Sequence, residues 1–88
     1  MTLYRAKKDI GATAVSIDTE SGLLKPNFDT DIIRIEVGEV VQLMGHLSYG
    51  FMPHSYFLYA GPGSDSRPMF IGMPVYKVEY YFEHIVVE

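Results

Sequence analysis

Apolar and polar residues alternate with a period of two along most of the chain, the pattern of strands buried on one face. It is sharpest over 32–44. Ile33, Ile35 and Val37 alternate with Arg34 and Glu36, Gly38-Glu39 interrupts, and Val40-Val41-Gln42-Leu43-Met44 resumes. This predicts two short strands joined by a tight glycine turn. The β-branched Ile32, Ile33, Ile35, Val37 and Val40 disfavour a helix there, because their χ1 freedom is restricted in one. Upstream, Ala12, Ala14, Val15 and Ile17 around Thr13 and Ser16 predict a first strand, closed by the turn cluster Asp18-Thr19-Glu20-Ser21-Gly22. Leu23 and Leu24 lead to a second break at Lys25-Pro26-Asn27.

Residues 45–53, with Gly45, Gly50 and Pro53, read as a loop, Tyr56-Phe57-Leu58-Tyr59 as a short strand, and 61–68 as a second loop. Over 75–88, Tyr76, Val78, Tyr80 and Phe82 share one face and Lys77 and Glu79 the other. The parity then shifts to Ile85 and Val87, which predicts a bulge or short turn near Glu83-His84. No stretch of ten residues has a helical period. The reading is an all-β fold: one domain over 1–88, a β-sandwich or small barrel of about six or seven short, mainly antiparallel strands. Ile33, Ile35, Val37, Val41, Leu43, Phe57, Val78 and Tyr80 are expected inside, and Arg34, Glu36, Lys77 and Glu79 outside.

Composition narrows the function more than it names it. At 88 residues the chain has room for one small domain. With 48% apolar and 20% charged residues it is not a disordered polar chain. No apolar run approaches the ~20 residues of a membrane-spanning helix. The net charge of -4 disfavours phosphate-backbone binding. The absence of cysteine excludes disulfides, thiolate metal ligands and cysteine nucleophiles together. Only Tyr4 and Phe28 among the aromatics precede Tyr49, and a core this small needs such large side chains. Arg5, Lys7 and Lys8 form the basic cluster, read as a solvated arm. Tyr4 beside them would allow stacking on a base, but three cations fall short of a nucleic-acid footprint. The starting methionine, with no secretory pattern behind it, leads us to expect a cytoplasmic protein.

One stretch is similar to a known family. Residues 28–41, from Phe28-Asp29-Thr30-Asp31 through Ile35-Glu36-Val37-Gly38-Glu39-Val40-Val41, resemble the hairpin that precedes the metal strand of cupredoxins. Met52-Pro53-His54-Ser55 then resembles the segment carrying the first copper ligand in plastocyanin-like and amicyanin-like proteins. Residues 56–61 fit the next strand, and Ile85-Val86-Val87-Glu88 looks like the last one. The resemblance implies a β-sandwich and, at most, one ligand, His54. It departs from the family where the metal site should be completed. There is no cysteine, whose thiolate a blue-copper centre needs, and only Glu83-His84 stands where the remaining ligands would lie.

Three histidines, His46, His54 and His84, are the candidate metal ligands. Met44-Gly45-His46 and Met52-Pro53-His54 set a thioether two residues before an imidazole, a donor pair suited to copper. Copper held by His54 with His46, His84 or a methionine is therefore an alternative reading; the bland one is surface histidines and core methionines. No zinc-enzyme spacing is present. Ser48, Ser55, Ser64 and Ser66, with Asp65 nearby, have no nucleophile-elbow signature, and Gly61-Pro62-Gly63-Ser64 is not followed by the helix that a phosphate loop requires. The leading expectation is a non-enzymatic binding module without cofactor, an adaptor, assembly factor or viral protein acting on a host protein. Its surface would be two loops, 45–53 and 61–73, with Leu47, Tyr49, Phe51, Met52, Arg67, Met69 and Phe70 meeting another protein or a second copy of the chain. A single-stranded nucleic-acid binder on a small barrel is a third reading.

Overall fold

A long bulged strand organises the molecule, seen in a computed structural model that describes residues 1–18, 20–26 and 32–86. In chain order the elements are β1 (Thr2–Ala6), β2 (Ile10–Ala12), β3 (Val15–Asp18), β4 (Leu23–Pro26), β5 (Ile33–Ile35), β6 (Val40–Tyr49), β7 (Met52–Tyr59), a 3-10 turn (Pro62–Ser64), β8 (Met69–Pro74), a second 3-10 turn (Val75–Lys77) running into the short helix α1 (Val78–Tyr81), and β9 (Phe82–Ile85). The protein is thus a small all-β domain with nine strands in two sheets among the described residues.

The first half of β6 pairs antiparallel with β1, and β9 pairs with the far edge of β1. The other edge of β6 pairs with β7, and β7 with β8. Leu23 of β4 meets Ser48 near the end of β6 in parallel. A bridge from Ala14 to Ile71 ties the start of β3 to β8, so the path β3-β4-β6-β7-β8 returns on itself through one residue pair. The small sheet, β2 with β5, adds Ile10, Ala12, Ile33 and Ile35 to the core cluster that also holds Val41, Phe57, Ile71 and Phe82. Phe57 and Phe82 pack at 5.2 Å between centroids, and Tyr4 meets Phe57 edge-on at 5.7 Å. Edge contacts of this kind add to what ring burial contributes.

Five expectations need correction. Arg5, Lys7 and Lys8 stay exposed but do not form a free arm: residues 2–6 are the strand between β6 and β9, because Tyr4 gains more by packing on Phe57 and Phe82 than by staying in water. Residues 32–44 are not a hairpin: β5 pairs with β2 and β6 with β1. The turn between them is a corner that carries the chain from the small sheet to the large one, and Gly38 N–H donates to Ala6 O while Ala6 N–H donates to Glu39 O. Val37 therefore lies exposed on the corner. Residues 75–81 are two short helical turns, not a strand. A helical turn puts positions four apart on one face, so Val78 and Phe82 go inside and Tyr80 turns out. The parity change near Glu83-His84 is the helix-to-strand switch at Phe82, not a bulge. Finally, 12–17 is divided: β2 ends at Ala12, and β3 starts at Val15 after Ala14 has bridged to β8.

Ile33, Ile35, Val41, Phe57 and Val78 are buried as expected, Leu43 is half-buried, and Arg34, Glu36, Lys77 and Glu79 are exposed. Thr19, Asn27, Phe28, Val87 and Glu88, and the 28–31 part of the cupredoxin resemblance, lie outside the described residues.

At one end of the domain, the Tyr59 side chain joins three segments. Its hydroxyl lies 2.9 and 3.0 Å from the two carboxylate oxygens of Glu39, to which it donates, and accepts from Gly63 N–H at 3.1 Å. Glu39 also accepts from Glu36 N–H at 2.7 Å, closing the corner. Gly63 sits against the backbone of β5, where an added Cβ would lie 1.8 Å from Arg34 O. Gly63→Ala is therefore expected to destabilise by about 3 kcal/mol or more in urea unfolding. Tyr59→Phe leaves the Gly63 N–H and the Glu39 carboxylate short of a partner, at a cost of about 1–3 kcal/mol.

Burial pushes the Tyr59 phenol above its ordinary value of 10.0, and the neighbouring Glu39 carboxylate adds to the shift. The folded state thus holds this proton more tightly than the unfolded one. The stability so gained is complete below the unfolded value and is lost as pH rises through the folded one. Stability between pH 8 and about pH 11 should fall more in the wild type than in Tyr59→Phe, measured side by side. Equal losses would refute the assignment.

Candidate functional site

The end of the domain away from Tyr59 is built by the β6–β7 hairpin. The stretch expected as a loop, 45–53, is the end of one strand and the start of the next, with Tyr49 paired to Met52. Only Gly50 and Phe51 lie between them. Gly50 has φ +60° and Phe51 has none of the positive φ that marks Asp65 and Ser66. That is the two-residue II′ pattern, which wants glycine at its first central position. The tight turn leaves Phe51 at the apex, fully exposed.

Below the apex, the Tyr49 and His54 rings stack at 5.3 Å with 36° between planes. They are diagonal neighbours, since His54 pairs with Leu47. His54 Nδ1 lies 3.0 Å from Met52 O; a carbonyl only accepts, so in the neutral ring Nδ1 carries the proton. Across from them, Pro74 ends β8 opposite His54, and the 3-10 turn that follows brings Val75 and Tyr76 beside the hairpin. Tyr49, Phe51, Met52, Pro53, His54, Val75 and Tyr76 line an open groove of about 920 Å³. Behind the Tyr49–His54 stack lies a second cleft of about 480 Å³, between Gly11 and Thr13 on one side and Gly72, Met73 and Pro74 on the other, with Asp9 and Lys77 on its wall. It opens where β2 leaves β8 for β5, past the Ala14–Ile71 bridge.

Tyr49, Phe51 and Met52 therefore stand together as expected, while Leu47 is half-buried below them. Arg67, Met69 and Phe70 do not join them. Met69 pairs with Tyr59, five residues along β7 from His54, or about 17 Å at the rise of a strand. Met69 packs on the core and Phe70 meets the Tyr56 ring at 5.9 Å. Arg67 is exposed beside the Pro62–Ser64 turn, where Ser64 Oγ donates to its carbonyl at 2.7 Å. The two loops expected to form one surface lie at opposite ends of the β7–β8 ladder. Pro53, Val75 and Tyr76 were missed as site residues. Gly-X between the alternations Leu47/Tyr49 and Met52/His54 is a hairpin signal that would have exposed the tip. Nothing in the alternation of 75–82 foretold the helical turn that presents Tyr76.

The histidines are separated. His46 and His54 occupy adjacent pairs on opposite faces of the hairpin, and His84 sits on β9, stacked on Tyr4 at 5.3 Å. Among the described residues, no three His, Asp or Glu side chains gather as a metal site. The expected ligand group His46, His54 and His84 is thus not assembled, because strand alternation sends the first two to opposite sides.

His46 Nδ1 does lie 3.0 Å from Ser55 Oγ, the spacing of a serine and its base. Ser55 is only 2% exposed, and no described carboxylate bonds the other nitrogen of the ring, so the contact satisfies a buried hydroxyl. The basic cluster is engaged along the C-terminal segment: Arg5 pairs with Glu83 at 3.5 Å, Lys7 donates to Glu79 O, and Lys8 Nζ stands 3.4 Å above the Tyr80 ring.

Set against protein-family models, curated proteins and solved structures, the chain matches none of them. No helix among the described residues is long and apolar enough to cross a membrane.

The tip makes its own prediction. An added Cβ at Gly50 meets no atom within 4 Å, so only backbone strain opposes a substitution there. Gly50→Ala should cost about 1–2 kcal/mol in thermal unfolding, and Gly50→Asn less, since asparagine tolerates the left-handed region.

Proposed function

We propose that the protein is a binding module that engages another protein through the apolar hairpin tip and does no chemistry of its own. The observation that carries this reading is the clustering of exposed large side chains around one groove. Phe51 is fully exposed, Tyr76 is 70% exposed, and Tyr49, Met52 and Val75 each keep two-fifths or more of their surface in water. Large contiguous apolar patches are uncommon on monomers and mark interaction sites. Tyrosine, phenylalanine and methionine are the residue types enriched at interface centres. The scaffold suits the role, since a two-residue turn and a stacked Tyr49–His54 pair hold the tip with few freely rotating groups, which lowers the ordering cost of binding. The buried Ser55 hydroxyl favours binding over catalysis.

The test compares the wild type with Phe51→Ser/Tyr76→Ser in capture of proteins from the native host, with Arg67→Ala at the far end as control. Circular dichroism should show all three folded. The double variant should weaken capture by about 2 kcal/mol or more, roughly 30-fold, while the control stays level. Equal capture by a folded double variant would overturn the reading.

A further inference from the structure

We infer that the partner at this tip is a second copy of the same chain: each copy sets its Phe51 ring into the other's groove, beside Tyr76 and the Tyr49–His54 stack. The inference rests on the binding reading above and names its occupant.

Three observations favour a copy of self. The projecting ring and the groove belong to one patch, separated only by the width of the hairpin end. A two-fold axis through that patch seats both Phe51 rings at once, which is what an isologous interface requires. Charge points the same way. The chain carries a net charge of -4, yet the groove is lined without a single Asp, Glu, Lys or Arg. Within that lining two copies set no like charges against each other, and Lys77 stands outside it, 5.9 Å from the centre of the Tyr76 ring. Area is the third. The exposed parts of Tyr49, Phe51, Met52, Val75 and Tyr76 come to on the order of 600 Å² per copy, against ~800 Å² per partner in a stable interface. Those five side chains supply most of what a dimer needs, and a domain this small gains buried surface by pairing.

The experiment is sedimentation equilibrium of the full chain from about 1 µM to 1 mM, for the wild type and for Phe51→Ser. The wild type should move from monomer to dimer, and the dissociation constant should rise about 30-fold or more in the variant. The sequence has no cysteine, so a second measurement is clean. Met52→Cys and Lys77→Cys proteins, which keep the Phe51 and Tyr76 rings, are mixed and treated with a short bismaleimide. Cross-linked heterodimer should form in high yield, and a mixture of Met52→Cys with Arg67→Cys should give almost none. A wild type that stays monomeric throughout overturns the inference. So does a dimer that Phe51→Ser leaves intact, or one with no 52–77 cross-link. Failure here is distinct from failure of the binding reading: a monomeric protein whose capture of a different protein still collapses in Phe51→Ser/Tyr76→Ser keeps the tip as a binding site and loses only the second copy as its occupant.

Discussion

The Tyr59 hydroxyl, held between the Glu39 carboxylate and the Gly63 N–H, is the contact on which the arrangement of this domain turns. It is a polar tie at the end of a side chain that is 1% exposed, and such a group must be paired or it destabilises the fold. Its partners come from the corner that launches β6 and from the 3-10 turn that launches β8. With those two points fixed, the strands that run to the other end of the domain start in the correct place. The hydrophobic cluster around Phe57 and Phe82 supplies the larger driving force, but it is non-directional and would accept more than one strand arrangement. The tie gives it a direction.

The two ends of the domain are consequently different in kind. The Tyr59 end is polar and internally satisfied: Ser64 Oγ bonds Arg67 O, and Gly61 O accepts from the backbone N–H of both Ser64 and Ser66. The hairpin end keeps its apolar groups in water and has the short Tyr49–His54 stack in place of a network. The β3–β4 turn is a third, local device. Asp18 accepts from Glu20 N–H, Ser21 Oγ and Lys25 Nζ, and the bond from Lys25 in particular holds its carboxyl well below the usual range. Glu20 and Ser21 are exposed, and the turn fixes a connection and is not a site.

Period-two alternation made the fold class legible and placed Ile33, Ile35, Val41 and Phe57 correctly, because a strand packed on one face imprints its sidedness on the sequence; Val78 is inside as well, but as the first residue of a helical turn. Pairing was not legible. Ile35 and Val40 look like the two arms of a hairpin, but their partners are Ile10 and Arg5, far away in the chain, and alternation carries no information about partner identity. The helical turn at 75–81 was hidden for a different reason. Over so few residues Tyr76, Val78 and Tyr80 satisfy a strand pattern, and only the packing of Val78 with Phe82 selects the helix. Of the site, Tyr49, Phe51 and Met52 were readable as apolar residues around a glycine. Tyr76 was not, since its membership depends on that helical turn and on the register that sets Pro74 opposite His54.

The register of β6 slips between Leu43 and Gly45, leaving Met44 without a partner across the ladder. Before it, Leu43 shares the face of Phe57; after it, Gly45, Leu47 and Tyr49 share the face of Tyr56 and His54. The bulge thus lets Leu43 and Gly45, two apart in the chain, lie on opposite faces, while every pair from Gly45–Tyr56 to Tyr49–Met52 keeps the face that β7 gives it. Removing Met44 would make the Leu43–Phe57 and Gly45–Tyr56 pairs consecutive, so Tyr49 would stay beside His54 and His46 opposite Ser55. What would go is the local bend and extra twist that the unpaired residue gives the strand. A related chain without that residue would carry the same side chains on the same face and aim the hairpin tip, with Phe51, in a different direction. In such a lineage a single-codon deletion, and no change of side chain, would be enough to re-aim the tip.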